Sequence, residues 1–314
     1  MNKTPVAIIA GPTASGKTKL AVLLCKALNG EVVSADSMQI YQGMQIATAK
    51  PTAEEMGGIP HHLLDFQPLE KPFSVADYVQ LARKTIADIR HRNKLPMIVG
   101  GTGLYIDSLL QGIAYTPSVN PQIRAEFKEF EAQHGSQALH EELAKVDPHA
   151  AESIHPHNVK RVVRALEMYR VTGKTLEENA ALSHVKPSSY QACFLCLGFR
   201  DKEKLYQRID ARVDKMLEAG LVQEVKEALQ NCGPTAVQAI GCKELLPYFA
   251  GSCTLGEAAK AIKQSTRHYA KRQLTWFRRE KQAQWLWIDD YLDEEQLFQD
   301  ALRKIQDFLK GYCL

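Results

Sequence analysis

The sequence has no apolar run close to the ~20 residues that a membrane-spanning helix needs. Its first apolar run, Val6–Ala10, is also too short for a signal peptide, so we expect a cytoplasmic protein with no membrane partner. Cysteine is sparse as well: seven residues, an odd number scattered over 314 positions, argue against a disulfide framework. The single C-x-x-C, Cys193 to Cys196, has no second pair to complete a zinc site, and we interpret both as structural thiols.

A strong overall charge is missing too, because the formal net charge is only +3. The charges are nevertheless unevenly distributed. Lys260–Lys281 carries eight Lys and Arg residues against one acid, with Tyr269, Trp276 and Phe277 between them, and Asp289–Asp300 then carries six acids. Basic residues interleaved with aromatics are typical of nucleic-acid-binding surfaces. From charge alone, a solvated helix face is an equally good interpretation of the basic segment.

Short apolar runs at residues 6–10, 31–35 and 96–100 predict three buried strands. Between the first two, Gly16–Leu28 has leucines at helical spacing, and a second helix is predicted over Val75–Arg90. This alternation of strand and helix predicts an α/β fold built on a parallel sheet.

The residue pattern changes after this region, because residues 117–190 contain no convincing strand. Helix starts are predicted there at Asn120-Pro121, Ser136 and Asn158. We predict an inserted all-helical domain over residues 117–192, within a core formed by residues 1–116 and 193–314. Two further strands of that core are predicted at residues 193–199 and 285–288.

The third predicted helix of the insertion has two distinct faces and is predicted to end at Gly173. Its apolar stripe consists of Val159, Val162, Val163, Leu166 and Tyr169. Away from that stripe lies a basic cluster made of Lys160, Arg161 and Arg164.

The motif Gly11-x-x-x-x-Gly16-Lys17-Thr18 lies between the first predicted strand and the first predicted helix, which is the context of a P-loop. Backbone N–H groups of residues 13–18 at a helix N-terminus can wrap two phosphates, Lys17 adds a cation, and the Thr18 hydroxyl is a ligand for Mg²⁺. We therefore predict a polyphosphate site and a P-loop NTPase-like core. The predicted polyphosphate-binding residues of this loop are Gly11, Pro12, Thr13, Ala14, Ser15, Gly16, Lys17 and Thr18.

The ends of the other predicted strands carry polar groups of a different kind. A hydrolysing P-loop enzyme has an acid at the end of a later strand to hold the metal, whereas the strand at 96–100 runs into Gly100-Gly101-Thr102-Gly103. The second strand is followed by Asp36-Ser37. Because ligands of open parallel sheets bind beyond the carboxyl ends of the strands, we expect these groups to converge with the P-loop. Asp36 could be a general base, a metal ligand or a helix cap, and its polar surroundings favour the base.

Two other functions account for parts of this pattern. A P-loop kinase of a small molecule or nucleotide would explain residues 1–110 but gives no role to Lys260–Lys281. A non-catalytic RNA-binding or regulatory NTPase would explain the basic segment but leaves Asp36 without a role.

Longer motifs make the sequence resemble tRNA dimethylallyltransferases of the bacterial type. They occur in the family's order from residue 6 to residue 281 and together are highly specific. Besides the P-loop they are D-S-M-Q-I-Y at 36–41, G-M-Q-I-A-T-A-K-P at 43–51, I-P-H-H-L-L-D at 59–65, F-S-V-A-D-Y at 73–78, G-G-T-G-L-Y at 100–105, H-N-x-x-R-x-x-R-A-L-E at 157–167, Q-A-I-G at 238–241 and K-R-Q-L-T-W-F-R at 271–278.

The resemblance implies transfer of the dimethylallyl group from dimethylallyl diphosphate to the N6 amine of the adenosine 3′ to the anticodon of tRNA. It implies that Asp36 accepts the proton of the amine and that Thr102 aligns it. Lys17 and Mg²⁺ at Thr18 would stabilise the departing diphosphate, with Arg212 as a further contact. The residues that the resemblance assigns to the anticodon stem-loop are Asp36, Ser37, Met38, Gln39, Arg124, Lys160, Arg161, Val162, Val163, Arg164, Gln238, Ala239, Ile240, Gly241, Cys242, Lys243, Lys271, Arg272, Gln273, Leu274, Thr275, Trp276, Phe277 and Arg278.

The sequence departs from the family pattern at two positions of this presumed RNA interface. Cys242 stands where the family more often has an aromatic residue, and Lys160 where an amide is common. Trp276 is itself of a residue type more typical of packing than of base stacking. We interpret His61 and His62 as structural or hydrogen-bonding residues rather than metal ligands. We expect a compact, bacterial-type monomer without the zinc-finger extension found in eukaryotic relatives.

Overall fold

The computed structural model describes residues 3–112, 120–183 and 188–312. The chain divides into two compact units: an α/β unit made of Met1–Leu110 and Ser188–Leu314, and a helical unit made of Gln111–Pro187. The domain boundary predicted between residues 116 and 117 lies outside the described residues. Among the described residues, no helix is both long and apolar enough to cross a membrane.

The α/β unit is built on a sheet of six strands, all paired in parallel. The strands are β1 (Thr4–Ala10), β2 (Gly30–Ser34), β3 (His61–His62), β4 (Leu95–Gly100), β5 (Tyr190–Gly198) and β6 (Gln284–Trp287). Their order across the sheet is β3-β2-β4-β1-β5-β6. Ala10 pairs with Gly100 and Ser34 with Val99, so the carboxyl ends of β1, β4 and β2 lie side by side.

Valine and isoleucine dominate the central strands, and β2 and β4 are buried along their whole length. This is typical of a parallel sheet with both faces covered. The five strands predicted from the sequence are confirmed, but one further strand was not predicted and the start of another was wrong. The edge strand β3 was missed because two histidines carry no strand pattern. Strand β5 begins at Tyr190, so residues 190–192 belong to the sheet rather than to the insertion.

Helices surround this sheet in the α/β unit. They are α1 (Lys17–Leu28), α2 (Ala53–Met56), α3 (Val75–His91), α4 (Gly103–Leu110), α9 (Lys202–Glu218), α10 (Leu221–Ala228), α11 (Cys242–Phe249), α12 (Leu255–Phe277) and α13 (Glu294–Leu309). The helices of the other unit are α5 (Pro121–Val146), α6 (Pro148–Ser153), α7 (Val159–Thr172) and α8 (Leu176–Ser183).

The described part of the helical unit, residues 120–183, contains no strand, as expected. The Asn120 side chain caps α5 by accepting from the amides of residues 122 and 123, and Gly173 ends α7 in the left-handed conformation, both as predicted. Helix α5 is interrupted at Gly135, next to the start predicted at Ser136. Val162, Val163 and Leu166 lie in the hydrophobic core of this unit.

Candidate active site at the carboxyl ends of the central strands

Three segments meet where β1, β2 and β4 end, as the topology predicts. The P-loop follows β1, Asp36-Ser37 follows β2, and Thr102 follows β4. The hydroxyl oxygen of Thr102 accepts a hydrogen bond from the Ser37 amide at 3.0 Å, and the Thr102 amide donates to Ala35 O at 3.0 Å. Residues of the P-loop, Asp36 and Ser37 line one cavity of about 740 Å³.

Gly100 allows the second and third of these segments to approach each other closely. A Cβ atom at this position would lie 2.2 Å from Ala35 O, which is far inside van der Waals contact. Only a residue without a side chain fits between the ends of β2 and β4.

The P-loop offers amide groups at the start of α1. Gly16 is the N-cap residue in the left-handed conformation (φ 82°), it has no side chain to bond these amides, and the first turn of α1 contains no acid. The Pro12 carbonyl organises the loop, because the Ser15 hydroxyl donates to it at 2.8 Å and Lys17 Nζ at 2.6 Å. Unsatisfied amides at the positive end of a helix are a site for an anion.

Thr13 departs from the expectation that every amide from residue 13 to residue 18 is offered to phosphates. Its amide donates to Gln273 Oε1 at 2.9 Å, and its hydroxyl accepts from Arg212 Nη1 at 3.1 Å. The amide is therefore used inside the protein. Arg212, predicted as a diphosphate contact, does lie beside the P-loop.

Two half-buried cations lie at this end of the cavity. Burial lowers the pKa of Lys17 to about 8; Asp36 opposes this shift and Arg212 adds to it. Burial also lowers the pKa of Arg212, again opposed by Asp36. The hydrogen bonds of both side chains go to neutral oxygens, those of Arg212 to Thr13 Oγ1 and Ala49 O. A bound anion would stabilise the charged forms of both side chains and raise their pKa values again.

Asp36 is held by a local turn. Its Oδ1 accepts from the amides of Met38 at 2.9 Å and Gln39 at 3.3 Å, and no helix begins at this position. The interpretation of Asp36 as a helix cap is therefore wrong. With Oδ1 fixed by the backbone, the carboxylate is positioned beside the Ser37–Thr102 contact and can accept a proton in the cavity.

Gln273 occupies a different place from the RNA surface expected for it. The side chain is buried, with Oε1 accepting from the Thr13 amide and Nε2 donating to Gly101 O at 2.9 Å. It thereby joins the P-loop to the turn after β4. Tyr269, one helical turn earlier on α12, lies near Thr102 and Gln273, and burial raises its pKa above the normal value.

Neither role was predicted, because the sequence showed Gln273 and Tyr269 only as members of a basic segment. Their spacing of four residues, which places them on one face of α12, was the available signal. Arg208 was missed as well. It lines the cavity four residues before Arg212 on α9, and a Cβ on Gly16 would lie 3.8 Å from its Nη2 atom.

The rest of the basic segment divides between surface and interior. The exposed members of the motif at 271–278 are Lys271, Arg272, Thr275 and Arg278. Leu274 and Phe277 are buried, so the prediction that their side chains contact RNA is wrong. Trp276 is half-buried and donates its Nε1–H to Asp107 Oδ2 at 2.6 Å, a packing role.

The segment at 238–243 is divided in the same way. Gln238, Ala239 and Ile240 line the cavity, and Gln238 also accepts a hydrogen bond from Lys243. Cys242 is fully buried in a hydrophobic cluster. Its departure from the family pattern thus changes the interior and not an RNA-facing surface.

The RNA contacts predicted around the basic cluster of the helical unit also differ from what the structure shows. Lys160 and Arg161 are exposed, whereas the side chains of Val162 and Val163 are buried and have no surface to offer an RNA. Arg164 Nη1 bonds Glu167 at 2.8 Å.

Arg124 lies on the same carboxylate, with Nε 2.8 Å from Glu167 Oε1. The structure therefore brings together two of the predicted RNA contacts, and it does so around a buried acid.

In the described part of the chain, no three His, Cys, Asp or Glu residues lie together in a way that could hold a metal ion. His61 bonds Ile59 O at 2.8 Å and His62 bonds Glu31 Oε2 at 2.7 Å, which confirms their hydrogen-bonding role. For a metal at the P-loop, the Thr18 hydroxyl is a ligand that can act together with oxygens of the bound phosphates.

Comparison with known proteins identifies the chain's relatives. Residues 39–280 match the family model described as IPP transferase. The tRNA dimethylallyltransferase of Bacillus pumilus is 49% identical over 288 residues, which cover 90% of this chain and 89% of that protein. The tRNA dimethylallyltransferase of Bacillus subtilis is 45% identical over 317 residues, covering 97% and 98%.

Solved structures agree with these relatives. The full-length tRNA isopentenylpyrophosphate transferase of Bacillus halodurans matches with a TM-score of 0.72 and 41% identity, covering 99% of this chain and 100% of that one. A eukaryotic dimethylallyltransferase acting on tRNA matches with a TM-score of 0.83 and 30% identity, covering 99% and 81%. The chain therefore belongs to the tRNA dimethylallyltransferase, or IPP transferase, family.

Proposed function

We propose that this chain transfers the dimethylallyl group of dimethylallyl diphosphate to the exocyclic N6 amine of the adenosine 3′-adjacent to the anticodon in tRNA, with release of diphosphate. The observation that carries the proposal is one cavity lined by two desolvated cations at a P-loop and by the carboxylate of Asp36. The cations suit a diphosphate, and the Asp36 carboxylate suits a nucleophile that must lose a proton.

At the diphosphate end, the amides at the start of α1, Lys17 and Arg212 stabilise the leaving group. The bond between the allylic carbon and the diphosphate oxygen breaks, and its electron pair leaves with the diphosphate. Because the positive groups are already in place and shielded from water, they favour the charge that develops as this bond breaks.

The oxygen ligands available at this end of the site suit magnesium. Thr18 lines the cavity, and Mg²⁺ in proteins combines few side-chain ligands with phosphate oxygens and water. When bound, it would neutralise part of the charge on the diphosphate.

At the amine end, Asp36 accepts the N6 proton as the lone pair of N6 forms the new bond to carbon. Thr102 aligns the amine, because its hydroxyl is held by the Ser37 amide. A neutral aromatic amine is a weak nucleophile, so orientation and proton removal both contribute to the rate.

Among the predicted tRNA contacts, we keep those whose side chains are exposed. Lys271, Arg272 and Arg278 on and after α12 and Lys160 and Arg161 on α7 are exposed. Unpaired bases of an RNA loop can be extruded into a pocket while cations hold the flanking phosphates. We therefore assign the helical unit a role in holding the anticodon stem-loop.

The decisive experiment supplies Mg²⁺, tRNA lacking the modification, and either dimethylallyl diphosphate or ATP. We expect prenylated adenosine, detected by nucleoside mass spectrometry, with the first donor only. ATP turnover without prenyl transfer would instead support a kinase or an NTPase and would contradict the proposal.

A further inference from the structure

Three successive backbone amides converge on one carboxylate outside the catalytic groups. Glu224, half-buried on α10, accepts from Gln45 N at 2.8 Å and Ile46 N at 2.8 Å through Oε2, and from Ala47 N at 2.7 Å through Oε1. Consecutive amides arranged in this way form an anion-binding concavity, here occupied by a side chain of the protein itself. Hydrogen bonds to an ionised acceptor are roughly twice as strong as neutral ones.

The segment held by Glu224 is a wall of the active-site cavity. Ala47, Thr48 and Ala49 all line it. On the cavity side, Gln39 Nε2 donates to Thr48 O at 3.2 Å and to Ala49 O at 3.0 Å. The segment 45–49 is thus held by Glu224 through its amides and by residues of the site through its carbonyls.

One of those carbonyls fixes a cation of the diphosphate site. Arg212 Nη2 donates to Ala49 O at 3.3 Å while Nη1 donates to Thr13 Oγ1. The guanidinium therefore lies between the segment and the P-loop. A displacement of Ala49 would move or release Arg212.

The backbone of Ala49 shows that this arrangement must be maintained by its surroundings. Ala49 has φ 48°, in the left-handed region that a residue with a Cβ adopts rarely. Such conformations persist where neighbouring contacts determine them. The nearest Glu224 contact lies only two residues earlier, at Ala47.

We infer that Glu224 is a positioning residue of the diphosphate site: it fixes segment 45–49 and, through Ala49, the place of Arg212. The inference rests on the proposed function to the extent that Arg212 binds the diphosphate of the donor. A carboxylate is needed for this role because it only accepts hydrogen bonds. The amide of Gln would direct an N–H group at one of the three backbone N–H groups.

The test compares Glu224→Gln with Glu227→Gln. Glu227 is exposed on the same helix, accepts from Gln223 Nε2 at 2.6 Å, and its replacement changes the net charge equally. Inorganic diphosphate binding is measured by calorimetry with Mg²⁺ present, and KM and kcat are measured for donor and tRNA. Amide hydrogen exchange of residues 44–50 is followed by mass spectrometry.

For Glu224→Gln we expect faster exchange in residues 44–50, a roughly five- to twenty-fold weaker affinity for diphosphate, a similar rise in KM for the donor, and KM for tRNA within about twofold. Glu227→Gln should match the wild type. Unchanged diphosphate affinity despite faster exchange would overturn the inference, as would equal losses for donor and tRNA.

A measurement on the wild type keeps the inference testable if Glu224→Gln does not fold. Adding diphosphate should slow exchange in residues 44–50, since Arg212 joins them to the bound anion; no change there would overturn the coupling. Because diphosphate binding and exchange need no prenyl transfer, these results also separate failure of this inference from failure of the proposed function.

Discussion

The cations of the strand-end site and those of the helical unit are held in opposite ways. In the helical unit, Arg124 and Arg164 both bond the buried carboxylate of Glu167. Burial alone would raise the pKa of Glu167, but the hydrogen bonds from Arg164, the Asn120 amide and Arg124 hold it below its usual value. In the α/β unit, by contrast, the hydrogen bonds of the half-buried Lys17 and Arg212 end on neutral oxygens.

The difference shows how the same residue types serve two purposes. An acid orients the arginines of the helical unit and compensates part of their charge. Lys17 and Arg212 have only the more distant charge of Asp36, so under the proposed function a bound diphosphate would supply the rest. The predictions below test this contrast.

The largest effect is expected at Asp36, the acid that follows β2 in the strand-end site. Asp36→Asn should lower kcat by ~10²-fold or more, because an amide cannot take the proton of the amine. The tRNA affinity should stay within several-fold, since the side-chain oxygen of Asn can still accept from the amides of Met38 and Gln39. Single-turnover rates and tRNA binding measure the two quantities, with Asp214→Asn, an exposed acid on α9, as the charge-matched control. Equal losses in rate and affinity would make Asp36 a recognition residue.

Gln273→Leu tests whether this residue belongs to the site or to the RNA surface. The change leaves the Thr13 amide and Gly101 O without their partner, which should lower the free energy of unfolding by about 2 kcal/mol, or roughly thirty-fold in the unfolding equilibrium. For the exposed neighbour, Lys271→Gln should change stability by less than about 0.5 kcal/mol. Denaturant titration measures both. Unchanged stability combined with weaker tRNA binding would return Gln273 to the RNA interface.

The pH dependence of diphosphate binding tests whether Lys17 lacks an acidic hydrogen-bond partner in the free protein. Its pKa is about 8 without ligand, and a bound anion raises it, so binding above this pH requires uptake of a proton. The dissociation constant should therefore rise about tenfold per pH unit above pH 8 and be insensitive to Lys17 below it. Lys17→Arg, which stays charged, should show only the ionisation of the ligand itself. Identical calorimetric profiles for the two proteins would mean that Lys17 remains charged when the site is empty.

The smallest effects are expected for single exposed arginines, one in each unit. Arg161→Gln and Arg272→Gln should each weaken tRNA binding by roughly two- to five-fold and reduce the slope of log affinity against log salt by about 1. Filter binding over a salt series measures the slope. Arg200→Gln is the control, since Arg200 already pairs with Asp290. A slope that does not change would remove the corresponding surface from the interface.

Local sequence was a sound guide to the backbone of the site. The P-loop, the end of β2 at Asp36 and the glycines after β4 were all predicted, because each depends on a short pattern of strand residues, glycines and helix starts. The side-chain surfaces were harder. Val162 and Val163 were assigned to RNA because they lie within a basic motif, although their helical spacing already indicated the core. Gln273 was assigned to RNA for the same reason, and only packing shows that its amide faces the P-loop.

The sequence by itself determined the chemistry of this protein: a phosphate cradle, an acid and a hydroxyl at three neighbouring strand ends, and exposed cations for an RNA. The tertiary structure decided which cations meet the cradle and what holds them there. Gln273 bonds Thr13 across 260 positions, Arg212 reaches it across 199, and Glu224 holds residues 45–47 across nearly as many. Such contacts depend on how helices pack on the sheet, and the direction of a side chain on a helix is set by that packing rather than by its neighbours in sequence.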